Sequence, residues 1–93
     1  MAFTEHITKQ IMKTKIFKEA ILRRNKIRFV YGIETIILEP YFISVTKEGK
    51  KVIYGKVNNS NQIKSFYYDK IFNIKLLKKK KFSPIIPILP FLN

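Results

Sequence analysis

The first part of the chain carries a helical pattern of apolar positions. Between about Thr4 and Arg24, apolar side chains such as Ile7, Ile11 and Phe17 recur at spacings of three to five residues, with lysines between them. This spacing places the apolar side chains on one face of an amphipathic helix. The pattern therefore predicts one helix, and we expect its apolar face to pack on the rest of the domain. Insertion of that face into a membrane surface is the alternative.

From Lys26 onward the apolar period becomes that of β-strands. Short runs of β-branched and aromatic residues alternate with polar residues and are divided by turn residues. The predicted strands cover residues 26–31, 34–40, 41–48, 50–57, 62–68 and 72–77. Pro40 is expected to fix a corner between the second and third strands, and Gly49 to form a hairpin turn. Residues 58–61 are expected to form the next turn, and residues 69–71 a short helical turn.

Strands of this length and spacing predict a mainly β, α+β fold. The expected architecture is a small SH3-like or Sm-like β-barrel of five or six strands, with the N-terminal amphipathic helix packed on it. Residues 1–25 form the helix, residues 26–82 the barrel, and residues 83–93 an apolar, proline-rich tail. The tail prolines, Pro84, Pro87 and Pro90, exclude a regular helix or central strand. The tail is expected either to fold back on the barrel or to dock on a partner.

The composition argues against catalysis. The chain has 93 residues and no cysteine, and His6 is its only histidine. Disulfides, thiolate metal sites and a cysteine nucleophile are excluded, and a catalytic triad would depend on one residue near the terminus. Glu39 and Asp69 are isolated carboxylates, expected to be structural at the Pro40 corner and at the short turn. We predict a protein that is not an enzyme and that has no metal site and no cofactor.

The charge points to a polyanionic partner. Lysine and arginine number 19 against 6 aspartates and glutamates, a formal net charge of +13. Such a field attracts nucleic acid. The alternative is compositional bias, because lysine, isoleucine and asparagine together are typical of an AT-rich gene. The N-terminus lacks the apolar core of a signal peptide, and no run approaches the roughly 20 apolar residues of a membrane span, so a cytoplasmic protein without a membrane partner is expected.

Cations interleave with aromatic residues along the predicted strands. The set comprises Arg28, Tyr31, Tyr54, Lys56, Lys64, Tyr68 and Lys70. Alternation puts Lys64, Phe66 and Tyr68 on one face of their strand, and Tyr54 and Lys56 on one face of theirs. Phosphates bind distributed positive charge and unpaired bases stack on flat rings, so single-stranded RNA or DNA, or a nucleotide-like ligand, is the predicted partner. The alternative is that Phe66 and Tyr54 belong to the core and that the lysines are solvated.

A run of four lysines follows the last predicted strand. Lys78, Lys79, Lys80 and Lys81 are predicted to act as a clamp for phosphate or for an acidic partner, and a solvated basic tail is the alternative. A second hypothesis for the whole chain is a protein-interaction or assembly module. In that case the tail or an open barrel edge would join copies into a homo-oligomer or dock on a partner protein.

Four segments in order carry a family resemblance. They are AILRRNKIRFVYG at 20–32, ILEPYFI at 37–43, KVIYGKV at 51–57 after the Gly49 turn, and IKSFYYDKIFNIKLL at 63–77. Together they resemble the WYL domains of bacterial regulators. The resemblance implies a helix followed by a barrel, usually the effector-binding part of a transcriptional regulator, which binds nucleic acid or nucleotide-like ligands through basic and aromatic residues.

The resemblance also places the ligand-binding positions of the family. Its Trp-Tyr-Leu triplet falls on Lys51-Val52-Ile53, where only the third, apolar position keeps its character. Lys51 is counted among the candidate ligand-binding residues. Two family arginines fall on Lys64 and Lys70, which keep the charge without the planar guanidinium that grips a phosphate in bidentate fashion.

Overall fold

The fold begins with one long helix. The computed structural model describes residues 2–85, and side chains from residue 7 onward. Helix α1 spans Ala2–Arg23, so it begins two residues before the predicted start. It ends where Arg24 takes a left-handed conformation with φ 57°, a common helix terminus. Phe17, Ala20 and Ile21 are buried, so the predicted apolar face packs on the sheet.

Five antiparallel strands follow the helix among the described residues. They are β1 (Asn25–Tyr31), β2 (Glu34–Val45), β3 (Lys51–Val57), β4 (Ile63–Tyr67) and β5 (Ile71–Lys81), and a 3-10 turn over Tyr68–Lys70 joins the last two. They form one sheet in the order β4-β3-β2-β1-β5. Gly49 and Asn59 occupy the two predicted turns with positive φ values of 79° and 63°. The mainly β, α+β class with a leading helix is confirmed.

The sheet is not closed into a barrel, so that part of the prediction is wrong. Strands β4 and β5 are its two edges, and they do not pair with each other in the described part of the chain. The Phe17 ring meets the Tyr68 ring edge-on with centroids 5.2 Å apart, and Thr14 Oγ1 lies 3.0 Å from Tyr68 Oη. Side chains of α1 therefore pack against Tyr68, in the turn that joins β4 to β5.

Pro40 does not separate two strands. Residues 34–45 form the single strand β2, and Pro40 lies opposite Gly55 while Phe42 lies opposite Tyr54. Tyr41 is thus the extra residue of a β-bulge, a position that tolerates proline because the ladder is already interrupted there. A Cβ on Gly55 would lie 2.3 Å from the Glu39 carbonyl oxygen, so only glycine fits opposite the bulge.

The core lies between one face of the sheet and α1. Its buried members are Phe17, Ala20, Ile27, Phe29, Leu38, Ile53, Phe66, Tyr68 and Ile71. A second contact holds the start of the tail, because Phe82 stacks on Tyr41 and the Ile85 amide donates a hydrogen bond to Tyr41 Oη at 3.0 Å. Residues 86–93 of the predicted tail lie outside the described residues. Within the described part of the chain, no helix is long and apolar enough to cross a membrane.

Candidate nucleic-acid interface

A group of exposed cations lies on β5 and on its neighbour β1. Arg28 is paired directly with Lys75, and both side chains are exposed. We define the basic edge as Arg28, Lys75, Lys78, Lys79 and Lys80. None of the five forms an ion pair with a carboxylate of the described residues. The basic edge is therefore a positive surface that is not neutralised by acidic side chains of the described chain.

The lysine run belongs to β5 and does not follow it as a tail. The strand continues to Lys81, four residues beyond the predicted end. Leu77 pairs with Lys26 and Lys81 pairs with Asn25, so Lys78, Lys79 and Lys80 form an irregular insertion in the ladder. Lys81 itself donates from Nζ to the Arg23 carbonyl at 2.9 Å, where a cation also suits the C-terminal end of α1. Three of the four lysines are therefore free to present their charge outward.

Lys56 lies in a buried charge cluster around Glu39. Glu39 is 6% exposed, and its Oε2 is 3.4 Å from Lys56 Nζ and 3.8 Å from Lys26 Nζ. Both distances exceed those of good hydrogen bonds. The two ammonium groups donate elsewhere, Lys26 to Asn58 Oδ1 at 2.7 Å and Lys56 to the Ser60 carbonyl at 2.8 Å. The cluster thus ties the β3–β4 turn to β1 and β2, and its carboxylate is too enclosed to meet a substrate.

Tyr31 and Lys64 are brought together at one open end of the sheet. They line a cleft of about 360 Å³ together with Glu34, Ile36, Val57, Ser65 and Phe66. The Tyr31 ring packs edge-on against Phe66 with centroids 4.9 Å apart, and its hydroxyl accepts a hydrogen bond from the Tyr67 amide at 3.2 Å. Tyr31 therefore bridges β1 and β4, and Lys64 remains exposed beside it.

Lys51 and Lys70 meet tyrosines near the 3-10 turn. Lys51 Nζ lies 6.0 Å from the Tyr68 ring centroid, and Lys70 Nζ lies 5.7 Å from that of Tyr67. Tyr68 is 1% exposed, so its ring is not open for stacking on a base. Burial raises the pKa of the Tyr68 hydroxyl, and the contact with Thr14 partly opposes that shift. Tyr68 thus anchors the helix to the sheet, and Tyr67 is the exposed ring at this place.

The predicted set on β3, Tyr54 and Lys56, lies on the face of the β3–β4 pair opposite to Lys64 and Phe66 of β4. Tyr54 pairs with Ser65, and Lys64 pairs with Gly55, so Tyr54 does not share a face with Lys64. The Tyr54 ring stacks on Phe42 with centroids 4.6 Å apart and is half-buried. Phe66 is 5% exposed and lies in the core, which is the alternative given for it in the sequence analysis. The predicted residues therefore do not form one continuous surface.

Three residues that the sequence prediction missed are prominent in the structure. Lys75 pairs with Arg28, Phe72 is 58% exposed on β5, and Tyr67 is 37% exposed. Strand alternation could have identified Tyr67, because a neighbour of the core residue Phe66 must point outward. Phe72 could not be identified in this way, because the strand is irregular there. Asn73 has a φ of 55° beside a shift in the β1–β5 register, and this interrupts the alternation of side chains.

The comparisons with known proteins concern the fold. No protein-family model and no curated protein matches the chain. Among solved structures, the chain is similar to part of the proteasome accessory factor B/C (PafBC) of Arthrobacter aurescens, with a TM-score of 0.68 and 19% sequence identity. The match covers 75% of this chain and 12% of that chain. The likeness agrees with a WYL-like fold.

Proposed function

We propose that this chain is a non-catalytic regulatory or accessory domain that binds nucleic acid through its basic edge. Its structural neighbour PafBC is named a proteasome accessory factor, and the shared fold is compatible with an accessory role. The match covers 12% of that neighbour, so we do not assign the activity of the whole neighbour to this chain. The proposal rests instead on the charges of this chain.

The observation that carries the proposal is the pairing of Arg28 with Lys75. Like charges directly opposite each other on adjacent strands destabilise a sheet. Lys78, Lys79 and Lys80 continue the same strand without an acidic partner among the described residues. A chain of phosphates along β5 would offset this repulsion and release its counterions on binding.

A competing interpretation concerns the position of β5 at the edge of the sheet. Lysines on an edge strand prevent it from pairing with a second molecule. In that case neutralising them would promote association of the protein with itself and would leave binding to nucleic acid unchanged. The proposed function predicts the opposite: neutralising these lysines should weaken binding to nucleic acid and should leave self-association unchanged.

Fluorescence anisotropy with labelled single-stranded DNA and RNA at low salt tests the proposal. The triple variant Lys78→Gln, Lys79→Gln, Lys80→Gln removes three charges from the basic edge. The matched control is Lys15→Gln, Lys47→Gln, Lys50→Gln, which removes three exposed charges from α1 and from the β2–β3 turn. We expect at least a tenfold greater loss of affinity in the first variant. Equal losses would mean that only net charge matters, and the absence of binding by the wild type would overturn the proposal.

The second candidate function is a protein-interaction or assembly module. It is favoured by the two unpaired sheet edges, β4 and β5, of the described residues. Multi-angle light scattering on the full chain and on a chain truncated after Ile85 tests it. A full-length oligomer that becomes a monomer on truncation would support assembly through the tail. Monomers in both cases, with no change in the proteins that co-purify, would exclude it.

A further inference from the structure

A groove of about 290 Å³ lies between α1 and the beginning of β5. Its lining is shared by one side of the helix and four consecutive residues of the strand, namely Lys9, Met12, Lys13 and Ile16 with residues 71–74. Met12 and Phe72 are each 58% exposed. Single exposed apolar side chains are ordinary on protein surfaces, but two large ones that line one depression form an apolar site that a ligand can cover.

The helical side of the groove combines apolar and cationic side chains. Positions 9, 12, 13 and 16 are spaced so that they share one side of α1. Lys9 and Lys13 lie one turn apart there, beside Met12 and Ile16. The strand adds three more apolar side chains, so five apolar groups and two ammonium groups line the same depression.

The two ammonium groups favour an anion. Like charges one helical turn apart repel each other. Lys13 Nζ lies 5.7 Å from the Phe72 ring centroid and also donates to the Tyr68 carbonyl. Burial lowers the pKa of Lys13, Asp69 raises it in part, and Lys9 lowers it further. No carboxylate is among the groove residues of the described chain, so an anion placed between the two lysines would reduce their repulsion.

The rest of the lining restricts the kind of anion. Apart from the two lysines, Asn73 supplies the one polar side chain among the described groove residues. A ligand with many hydrogen-bonding groups would leave most of them without side-chain partners. A second copy of the chain is disfavoured as well, because it would bring the lysines of both molecules together. The volume lies near the lower end of small-molecule sites, which hold roughly 300–1,000 Å³. These features fit a small ligand with one anionic group and an apolar remainder.

We propose that this groove binds a medium-chain fatty acid, with its hydrocarbon chain against Met12, Ile16 and Phe72 and its carboxylate between Lys9 and Lys13. The site is separate from the basic edge, and the inference therefore goes beyond the proposed function. The flexible, polarizable side chain of Met12 suits a chain that can adopt several conformations. Because the groove covers only part of such a ligand, we expect a dissociation constant on the order of 0.1–1 mM for octanoate.

A titration of the isotope-labelled full chain with octanoate, followed by two-dimensional NMR, tests the proposal. The amide signals of residues 9–16 and 71–74 should shift and saturate, whereas those of Arg28 and Lys75 should stay in place. Acetate, which carries the charge without the chain, should not saturate the same signals. Octanol, which carries the chain without the charge, should bind roughly fivefold more weakly. From butyrate to hexanoate to octanoate, each added methylene should strengthen binding roughly two- to fourfold.

Two pairs of variants assign the binding to the groove. Met12→Gln keeps the length of the side chain and should weaken octanoate binding roughly three- to tenfold. Its matched control is Ile11→Gln, which is 52% exposed on the same helix but does not line the groove, and it should bind within about twofold of the wild type. Lys9→Gln should weaken binding roughly two- to fivefold, whereas Lys15→Gln, at an exposed position outside the groove, should not.

Several results would overturn the fatty-acid site. They are the absence of saturable shifts with octanoate, equal binding of octanol and octanoate, and equal losses in Met12→Gln and Ile11→Gln. Shifts centred on Arg28 and Lys75 would show that octanoate acts as a general anion. Groove signals that move with protein concentration alone would identify a second copy as the occupant, and tighter binding of an acidic peptide would identify a partner protein. None of these measurements involves nucleic acid, so the proposed function and this inference can fail independently.

Discussion

Arg28 on β1 and Lys75 on β5 lie directly opposite each other, and neither forms an ion pair with a described carboxylate. This arrangement weakens the isolated sheet, because the two charges repel across the ladder. A bound polyanion reverses the sign of that effect. The pair therefore lowers the stability of the free protein and raises its affinity for a polyanion.

Lys75→Glu should stabilise the free protein and weaken its binding to nucleic acid. An opposite-charge pair with Arg28 contributes about 0.2–1 kcal/mol to the free energy of unfolding, measured by urea denaturation at low salt. Lys64→Glu, at the exposed position opposite Gly55, is the control and should not stabilise the protein. A loss of stability in Lys75→Glu would contradict the assigned strand register.

Glu39→Gln should destabilise the fold. The change leaves Lys26 and Lys56, whose side chains are 21% and 13% exposed, without their carboxylate. Both ammonium groups keep their hydrogen bonds to Asn58 and Ser60, so the loss is that of the negative charge between two partly buried cations. It should cost about 1–3 kcal/mol, which chemical denaturation can measure. Glu34→Gln, at an exposed position, is the matched control, and its unfolding free energy should stay within about 0.5 kcal/mol of the wild type. Equal effects of the two changes would contradict a structural role for Glu39.

Gly55→Ala should disturb the bulge in β2. The added Cβ would lie 2.3 Å from the Glu39 carbonyl oxygen and 2.8 Å from Leu38 Cγ, and the backbone oxygen cannot move without opening the ladder. Overpacking of this kind costs about 1–3 kcal/mol or more, and thermal unfolding followed by circular dichroism measures it. Ser65→Ala, on the neighbouring strand, should have little effect. A neutral Gly55→Ala would show that the two strands do not approach as closely as described.

The stability of the fold should decline in alkaline solution through Tyr68. Burial raises the pKa of this hydroxyl, so the folded state holds the proton more tightly than the unfolded chain. Its contribution to stability is complete below the ordinary tyrosine pKa of about 10 and is lost as the pH rises above it. Tyr68→Phe should therefore show a smaller decrease in unfolding free energy between about pH 9 and 11. Parallel curves for wild type and variant would exclude this origin.

The hydrophobic pattern predicted most of the secondary structure. The period near Phe17 placed α1, and the alternation of Ile27 and Phe29 placed β1, because each signal reflects burial of one face. Pro40 misled the prediction, since a proline that ends a strand and a proline in a β-bulge have the same local sequence. The difference depends on Gly55, a distant residue on the neighbouring strand.

Closure of the sheet and the composition of the site could not be predicted locally. Whether β4 pairs with β5 depends on contacts between distant residues. Tyr31 of β1, for example, accepts a hydrogen bond from the Tyr67 amide of β4, 36 positions away. The pairing of Arg28 with Lys75 likewise follows from strand order. The charge and the aromatic content of the sequence predicted the type of partner. Which of these residues lie together on one surface could be seen only in the folded structure.

The salt dependence of binding tests the central claim most directly. The affinity of the wild type and of the double variant Arg28→Gln, Lys75→Gln for single-stranded DNA should be measured across a series of salt concentrations. Each phosphate contact contributes about 0.7 to the slope of log K against log salt. Removal of two contacts should lower the slope by about 1.4. An unchanged slope in the double variant, or no binding by the wild type at low salt, would contradict binding of nucleic acid through the basic edge.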